Sequence, residues 1–130
     1  MSDIPSGFKY TKDHEWAKSD GPDVTVGITS FAVEQLGDIT LVNVDVKVGD
    51  VVAEGKSFGT VESVKTLSDL FAPVSGKVVK INALLESKPE LVNEDCYGNG
   101  WMIVIAPSET DPLAALLDGD AYAKIVEGSH

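Results

Sequence analysis

Lys65 lies in the run Gly59-Thr60-Val61-Glu62-Ser63-Val64-Lys65-Thr66-Leu67-Ser68-Asp69, where one strand-like stretch ends and another begins. This spacing puts a primary amine at the tip of a β-hairpin, fixed at its base and free at its end. An amine held in that way suits acylation by a long cofactor. Surface lysines are most often simply solvated. Lys65 stands apart because of its frame: the turn Val48-Gly49-Asp50 precedes the hairpin and Pro73-Val74-Ser75-Gly76 follows it, with apolar strand segments beyond each.

Other chemistry is sparse. His14 and His130 are too few and too scattered to make a metal site with the single cysteine, and neither HExxH nor CxxC spacing occurs. His14, beside Glu15 and Trp16, reads as a strand-edge residue rather than a general base. Neither GxxxxGK[ST] nor GxGxxG is present, so the glycines read as turns. The serines lack a nucleophile elbow and a histidine to complete a triad. Pairs such as Glu94-Asp95 read as solvated charge. Cys96, between Asp95 and Tyr97, reads as a small loop residue, and one cysteine without an internal partner fits a reducing compartment. The chain does not read as a self-sufficient enzyme.

The elements that must hold Lys65 are mainly β. Residues 8–10, 15–18 and 24–28 form strands by pattern, with a turn-rich segment at 19–23. Thr29 or Ser30 caps a short helix through Leu36, which Gly37 ends in the left-handed conformation. Strands are expected at 39–46, 56–64, 66–72, 77–81 and 101–106, the last closed by Pro107, with a helical turn at 82–86 and a further strand opening at Leu91-Val92. Many short, evenly spaced strands predict a sandwich or barrel. Asp111 and Pro112 start a helix to about Leu117, and residues 120–127 form a terminal one. The segments 44–59 and 74–105 each carry a turn and a strand pair, a weak internal two-fold.

The chain has 130 residues and 43% hydrophobic content, which fits one domain, residues 1–130, with a core of about 8–127 and loose termini. No apolar run is long enough to cross a bilayer, and Met1-Ser2-Asp3-Ile4-Pro5 lacks a basic and a hydrophobic region. The expected setting is the bacterial cytoplasm, or the mitochondrial matrix after removal of a transit peptide. The net charge of −11, with all ten basic residues lysine, argues against nucleic acid and for docking onto basic patches of larger proteins.

Glu62-Ser63-Val64-Lys65, Ser68-Asp69, Ala72-Pro73-Val74-Ser75-Gly76 and Gln35-Leu36-Gly37-Asp38-Ile39 resemble the glycine cleavage system H-protein family. His14-Glu15-Trp16, Val26-Gly27-Ile28-Thr29, Glu90-Leu91-Val92-Asn93 and Gly100-Trp101 extend the resemblance in order from about Phe8 to Tyr122. Two departures are Cys96, where proline is usual before Tyr97, and Thr66, where alanine is commoner after the lysine.

The resemblance implies a β barrel-sandwich hybrid, lipoyl-domain-like, with short peripheral and C-terminal helices. It implies lipoic acid joined as an amide to Lys65, with Glu62 and Ser63 serving recognition by the lipoate-attaching enzyme. Glu15 and Asp69 are the carboxylates implied for the cleft that receives the loaded arm. The implied partners are the decarboxylating glycine dehydrogenase, the aminomethyltransferase and dihydrolipoyl dehydrogenase, with the carrier itself a monomer and a co-substrate rather than a catalyst. An H-like lipoate relay and another lipoyl or biotinyl swinging-arm domain stay open as alternatives. Against the biotinyl form, Val64 and Thr66 are not methionine.

Overall fold

The computed structural model describes residues 7–108, 113 and 116–128. Two antiparallel sheets carry the chain. The six-stranded sheet has the order β1-β2-β3-β9-β8-β5, formed by β1 (Lys9–Tyr10), β2 (Glu15–Asp20), β3 (Asp23–Ile28), β9 (Ile103–Pro107), β8 (Gly76–Ile81) and β5 (Val51–Val52). The three-stranded sheet has the order β4-β6-β7, formed by β4 (Ile39–Val44), β6 (Ser57–Ser63) and β7 (Leu67–Phe71). Helices α1 (Ser30–Leu36), α2 (Leu84–Ser87), α3 (Leu91–Glu94) and α4 (Gly119–Gly128) lie around them. This is the mainly β, barrel-sandwich arrangement expected from the sequence.

Alternation along the strands explains the layering. Val24, Val26 and Ile28 of β3 turn inward to meet Val42, Val61 and Leu70 of the smaller sheet, and all six are buried. A second cluster, Tyr10, Trp16, Phe31, Tyr122 and Val126, fastens α1 and α4 to the first two strands. Tyr10 and Tyr122 stack with centroids 4.8 Å apart. Trp16 is buried, and its Nε1–H donates to the Cys96 carbonyl at 2.9 Å. Cys96 is itself a buried loop residue, as the sequence reading held.

Trp16 packs directly on Gly27, where a β-carbon would stand 2.6 Å from the indole Cε2 and Cζ2. Gly27→Ala must displace that ring and its hydrogen bond. The expected cost is about 1–3 kcal/mol of overpacking, seen as a lower thermal midpoint with a shifted tryptophan emission; an unchanged midpoint would show that the ring yields freely.

Several expectations need correction. Leu91-Val92 opens α3, not a strand. Its backbone is satisfied locally, with Glu94 N–H donating to the Glu90 carbonyl at 3.0 Å and Asp95 N–H to the Leu91 carbonyl at 2.8 Å. An apolar pair followed by Asn93-Glu94-Asp95 has no period that would reveal this. Gly37 does end α1 with positive φ, but at φ 80°, ψ −148° it is outside the left-handed helical region, in a conformation open essentially to glycine. The strand β5 was not expected, since two valines carry no readable alternation. It forms because Val51 and Val52 pair with Lys77 and Gly76 of β8. The helix expected to begin at Asp111 and Pro112 lies largely outside the described residues. The terminal helix is α4, one residue longer at each end than expected.

Candidate functional site

The β6–β7 hairpin presents Lys65 as the sequence reading required. Strand register pairs Glu62 with Leu67 and Val61 with Ser68, leaving Val64, Lys65 and Thr66 at the tip. Ser63 closes the turn. Its N–H donates to the Thr66 carbonyl at 2.8 Å, and its Oγ accepts from the N–H groups of Lys65 and Thr66, each at 3.2 Å. Ser63 is therefore occupied with backbone, holding the base of the lysine. Lys65 is exposed and flanked by Val64 and Leu67, at 66% and 56% exposure.

Cross-strand pairing sets the carboxylates on faces. Leu41, Glu62 and Leu67 form one row across the smaller sheet, and Asn43, Thr60 and Asp69 form the next row but one, beyond Val42, Val61 and Ser68. Side chains in successive odd rows share a face, so Glu62 and Asp69 lie on the same outer side. Asp69 is exposed.

Glu15 is different in kind. It is 2% exposed, and its Oε2 accepts the Phe71 N–H at 2.5 Å on the free edge of β7. The carboxyl thereby joins β2 of the large sheet to the edge of the small one. Its second oxygen, Oε1, is the one buried side-chain polar atom without a hydrogen-bond partner among the described residues. Burial raises its pKa from 4.5 to about 8, opposed by the Phe71 N–H and assisted by the charge of Asp13. A reading of Glu15 as a solvated surface charge is excluded by this burial. Phe71 is two residues beyond Asp69, about 7 Å along the strand, so the two carboxylates border the same edge with unlike exposure.

The preceding residue explains how Glu15 is aimed. His14 is a turn residue with φ 66°, not a strand-edge residue, and its carbonyl accepts the Thr29 N–H at 3.0 Å. Its Nδ1 is 2.8 Å from the Tyr122 hydroxyl, which lies 2.7 Å from Thr29 Oγ1. Burial lowers the His14 pKa, with the charge of Asp13 opposing. These contacts tie the turn to α4 and to the N-cap of α1, where Thr29 Oγ1 accepts the Ala32 N–H at 3.2 Å. His14 thus serves the architecture.

Glu15 lines a cleft of about 420 Å³ with Tyr10, Phe71, Leu117 and Ile125 among its walls, and with Asp13 and Glu54 contributing acid groups. Sequence reasoning missed Tyr10, Glu54 and Ile125 because they come from three separate segments. Helix α1, about 10 Å long, runs from Thr29, hydrogen-bonded beside Glu15, to Gly37, where a β-carbon would lie 3.3 Å from Lys65 Cε. Lys65 and the His14-Glu15 turn are therefore one short helix apart.

A two-sheet β sandwich with an exposed lysine at a hairpin tip defines a covalent-cofactor carrier of the lipoyl-domain class. Comparison with known proteins is more specific. The model of the family "Glycine cleavage H-protein" matches residues 8–129. The glycine cleavage system H protein of Anaeromyxobacter sp. (strain K) is 51% identical over 125 residues, covering 96% of this chain and 97% of that protein. That of Carboxydothermus hydrogenoformans is 50% identical over 127 residues, covering 98% and 97%. The crystal structure of a glycine cleavage system H protein from Mycobacterium marinum superposes with a TM-score of 0.86 at 40% identity, covering 98% of this chain and all of that one. The chain belongs to the glycine cleavage H-protein family, the lipoyl carriers of the glycine cleavage system.

Proposed function

We propose that Lys65 is the residue that carries lipoic acid, as an amide on its Nζ, and that the Glu15 cleft receives the loaded arm. The observation that carries the reading is the pairing of an exposed hairpin-tip lysine with a buried carboxylate whose Oε1 lacks a partner and lines an apolar-walled cleft one helix away. When attached, the lipoyl group supplies the sulfur that accepts an aminomethyl group from the decarboxylating glycine dehydrogenase and yields it to the aminomethyltransferase, with dihydrolipoyl dehydrogenase restoring the disulfide.

The chain's own residues supply tether, shelter and charge. Lys65 confines the reactive end near any docked enzyme and raises its effective concentration there. Phe71, Leu117 and Ile125 exclude water from the cleft. Glu15 Oε1 offers an acceptor to the ammonium of the cargo. Glu15 holds its proton in the empty cleft at neutral pH, and an arriving cation favours the ionised form, so seating the loaded arm releases a proton. Asp69, exposed on the outer face, has the weaker claim on the ammonium because water screens it. Glu62, between Leu41 and Leu67, offers the lipoate-attaching enzyme an acid flanked by apolar groups. Ser63 contributes by shaping the tip.

We further read the chain as one carrier domain, acting as a monomer in the cytoplasm of a bacterium. No helix among the described residues is long and apolar enough to cross a membrane. The test is reconstitution: after treatment with a lipoate ligase, the protein should support glycine-dependent carbon dioxide release by glycine dehydrogenase and methylene transfer to tetrahydrofolate. A lipoylated protein that supports neither would overturn the reading.

At a net charge of −11, association with these enzymes should weaken as salt rises. Screening acts over roughly 8 Å at physiological ionic strength, and the effect belongs mainly to the association rate. A rate that stays flat from low to high salt would show that the charge does not steer docking.

A further inference from the structure

The turn between α1 and β4 lies under Lys65. A β-carbon on Gly37 would stand 3.3 Å from Lys65 Cε, 3.7 Å from Cδ and 3.8 Å from Nζ, so the lysine side chain lies across a bare α-carbon rather than extending straight into solvent. Gly37 holds φ 80°, ψ −148°, which a side chain would strain.

The turn is held from outside by three hydrogen bonds. Asn93 of α3 grips it from both sides: Nδ2–H donates to the Gly37 carbonyl at 2.9 Å, and Oδ1 accepts the Ile39 N–H at 2.8 Å. Between them, the Asp38 carbonyl accepts the Val64 N–H at 3.1 Å, which ties the hairpin tip to the turn. Ser63 already closes the hairpin, so the Asn93 bonds add nothing to its formation. They fix where the turn stands relative to the lysine. Asn93 is exposed, and burial of its side chain does not account for its place.

We propose that the Gly37-Asp38-Ile39 turn, braced by Asn93, is a seat for the Lys65 side chain that sets the direction in which the acylated arm leaves the hairpin. Gly37 is the surface the arm lies on, and Asn93 is a positioning residue acting through it. A lysine side chain free at its base samples many rotamers, and a seat that removes part of this freedom shortens the search for the cleft. The seat sits at the C-terminal end of α1, whose other end adjoins Glu15, so an arm leaving across Gly37 starts beside the helix that leads to the cleft. The use of the seat rests on Lys65 being the acylated residue, but the seat itself is a property of the unmodified chain.

The test is nuclear magnetic resonance on the full unmodified chain with isotope-labelled lysine and glycine. The parent should show a cross-relaxation contact between the Lys65 ε-methylene and the Gly37 α-protons, and inequivalent ε-protons. Asn93→Ala should abolish both. Asn93→Asp keeps the acceptor for Ile39 but loses the donor to Gly37, and should reduce the contact by half or more; it decides the matter if the alanine variant does not fold. Asn82→Ala removes bonds to the carbonyls of Asn99 and Trp101, away from the seat, and should lower the thermal midpoint while leaving the contact intact. No contact in the parent, its persistence in both Asn93 variants, or its loss in Asn82→Ala as well would each overturn the proposal. Whether lipoate is found on Lys65 by mass is read separately, and its absence would refute the carrier site without touching the seat.

Discussion

Lys65→Arg is expected to abolish lipoylation and with it all glycine-dependent turnover, while leaving the melting curve unchanged. Arginine preserves charge and approximate length but presents a guanidinium of very high pKa, which is not acylated as an amine is. The side chain is exposed and Ser63 closes the turn through backbone groups, so the hairpin does not need the lysine for its own stability. Mass mapping after treatment with a lipoate ligase should place the parent's adduct on the peptide containing Lys65 and find the variant unmodified. Nine other lysines provide the internal control, since the chain has ten basic residues, all lysine. An adduct that survives the substitution would move the attachment site elsewhere.

The second large effect is expected at Glu15. Once the arm is loaded, Glu15→Gln should speed loss of formaldehyde and ammonia by roughly 10- to 100-fold, the equivalent of the ~1.5–3 kcal/mol that a hydrogen bond to a charged group provides in a sheltered site. Glutamine still has a carbonyl for the Phe71 N–H, so the link between the two sheets is kept. Alanine would remove both functions at once. The ratio of variant to parent release rates should grow as pH rises through a range below 8, because the cargo's cation lowers the pH at which Glu15 gains its charge from the value of the empty cleft. Asp69→Asn, at an exposed position, should have a much smaller effect. Equal release rates for parent and Glu15→Gln would assign Glu15 to architecture alone.

The same carboxyl makes stability depend on pH in an unusual direction. The fold retains the Glu15 proton up to about 8, whereas an ordinary glutamate has lost it above 4.5. Between these values the folded protein binds more protons than the unfolded chain, so the contribution is complete below 4.5 and is lost as pH rises through 8. At about 1.4 kcal/mol per pH unit, the full span is on the order of 5 kcal/mol. Denaturant titrations across this range should show parent stability falling relative to Glu15→Gln, and parallel curves would mean the carboxyl ionises normally in the fold.

Short-range alternation around residues 57–71 was enough to place Lys65 at a hairpin tip, and ordered motifs along the chain were enough to point to the family. The sequence by itself also determined the mainly β class and the terminal helix, whose signals are local. What only the tertiary structure decided are properties of the space between segments. Only the resemblance implied Glu15 for the cleft, and its burial against the edge of β7 becomes visible in the fold alone. Its pKa is raised by burial between segments, and the bond from Phe71 that opposes the rise comes from a neighbour 56 positions away. The clamp of Asn93 on Gly37 spans the same separation, and α3, which delivers it, has no period to be read. The strand β5 exists only because β8 lies beside it. Local pattern puts Lys65 at the hairpin tip, whereas burial and long-range pairing decide that Glu15, and not Asp69, is the carboxylate buried against the cleft.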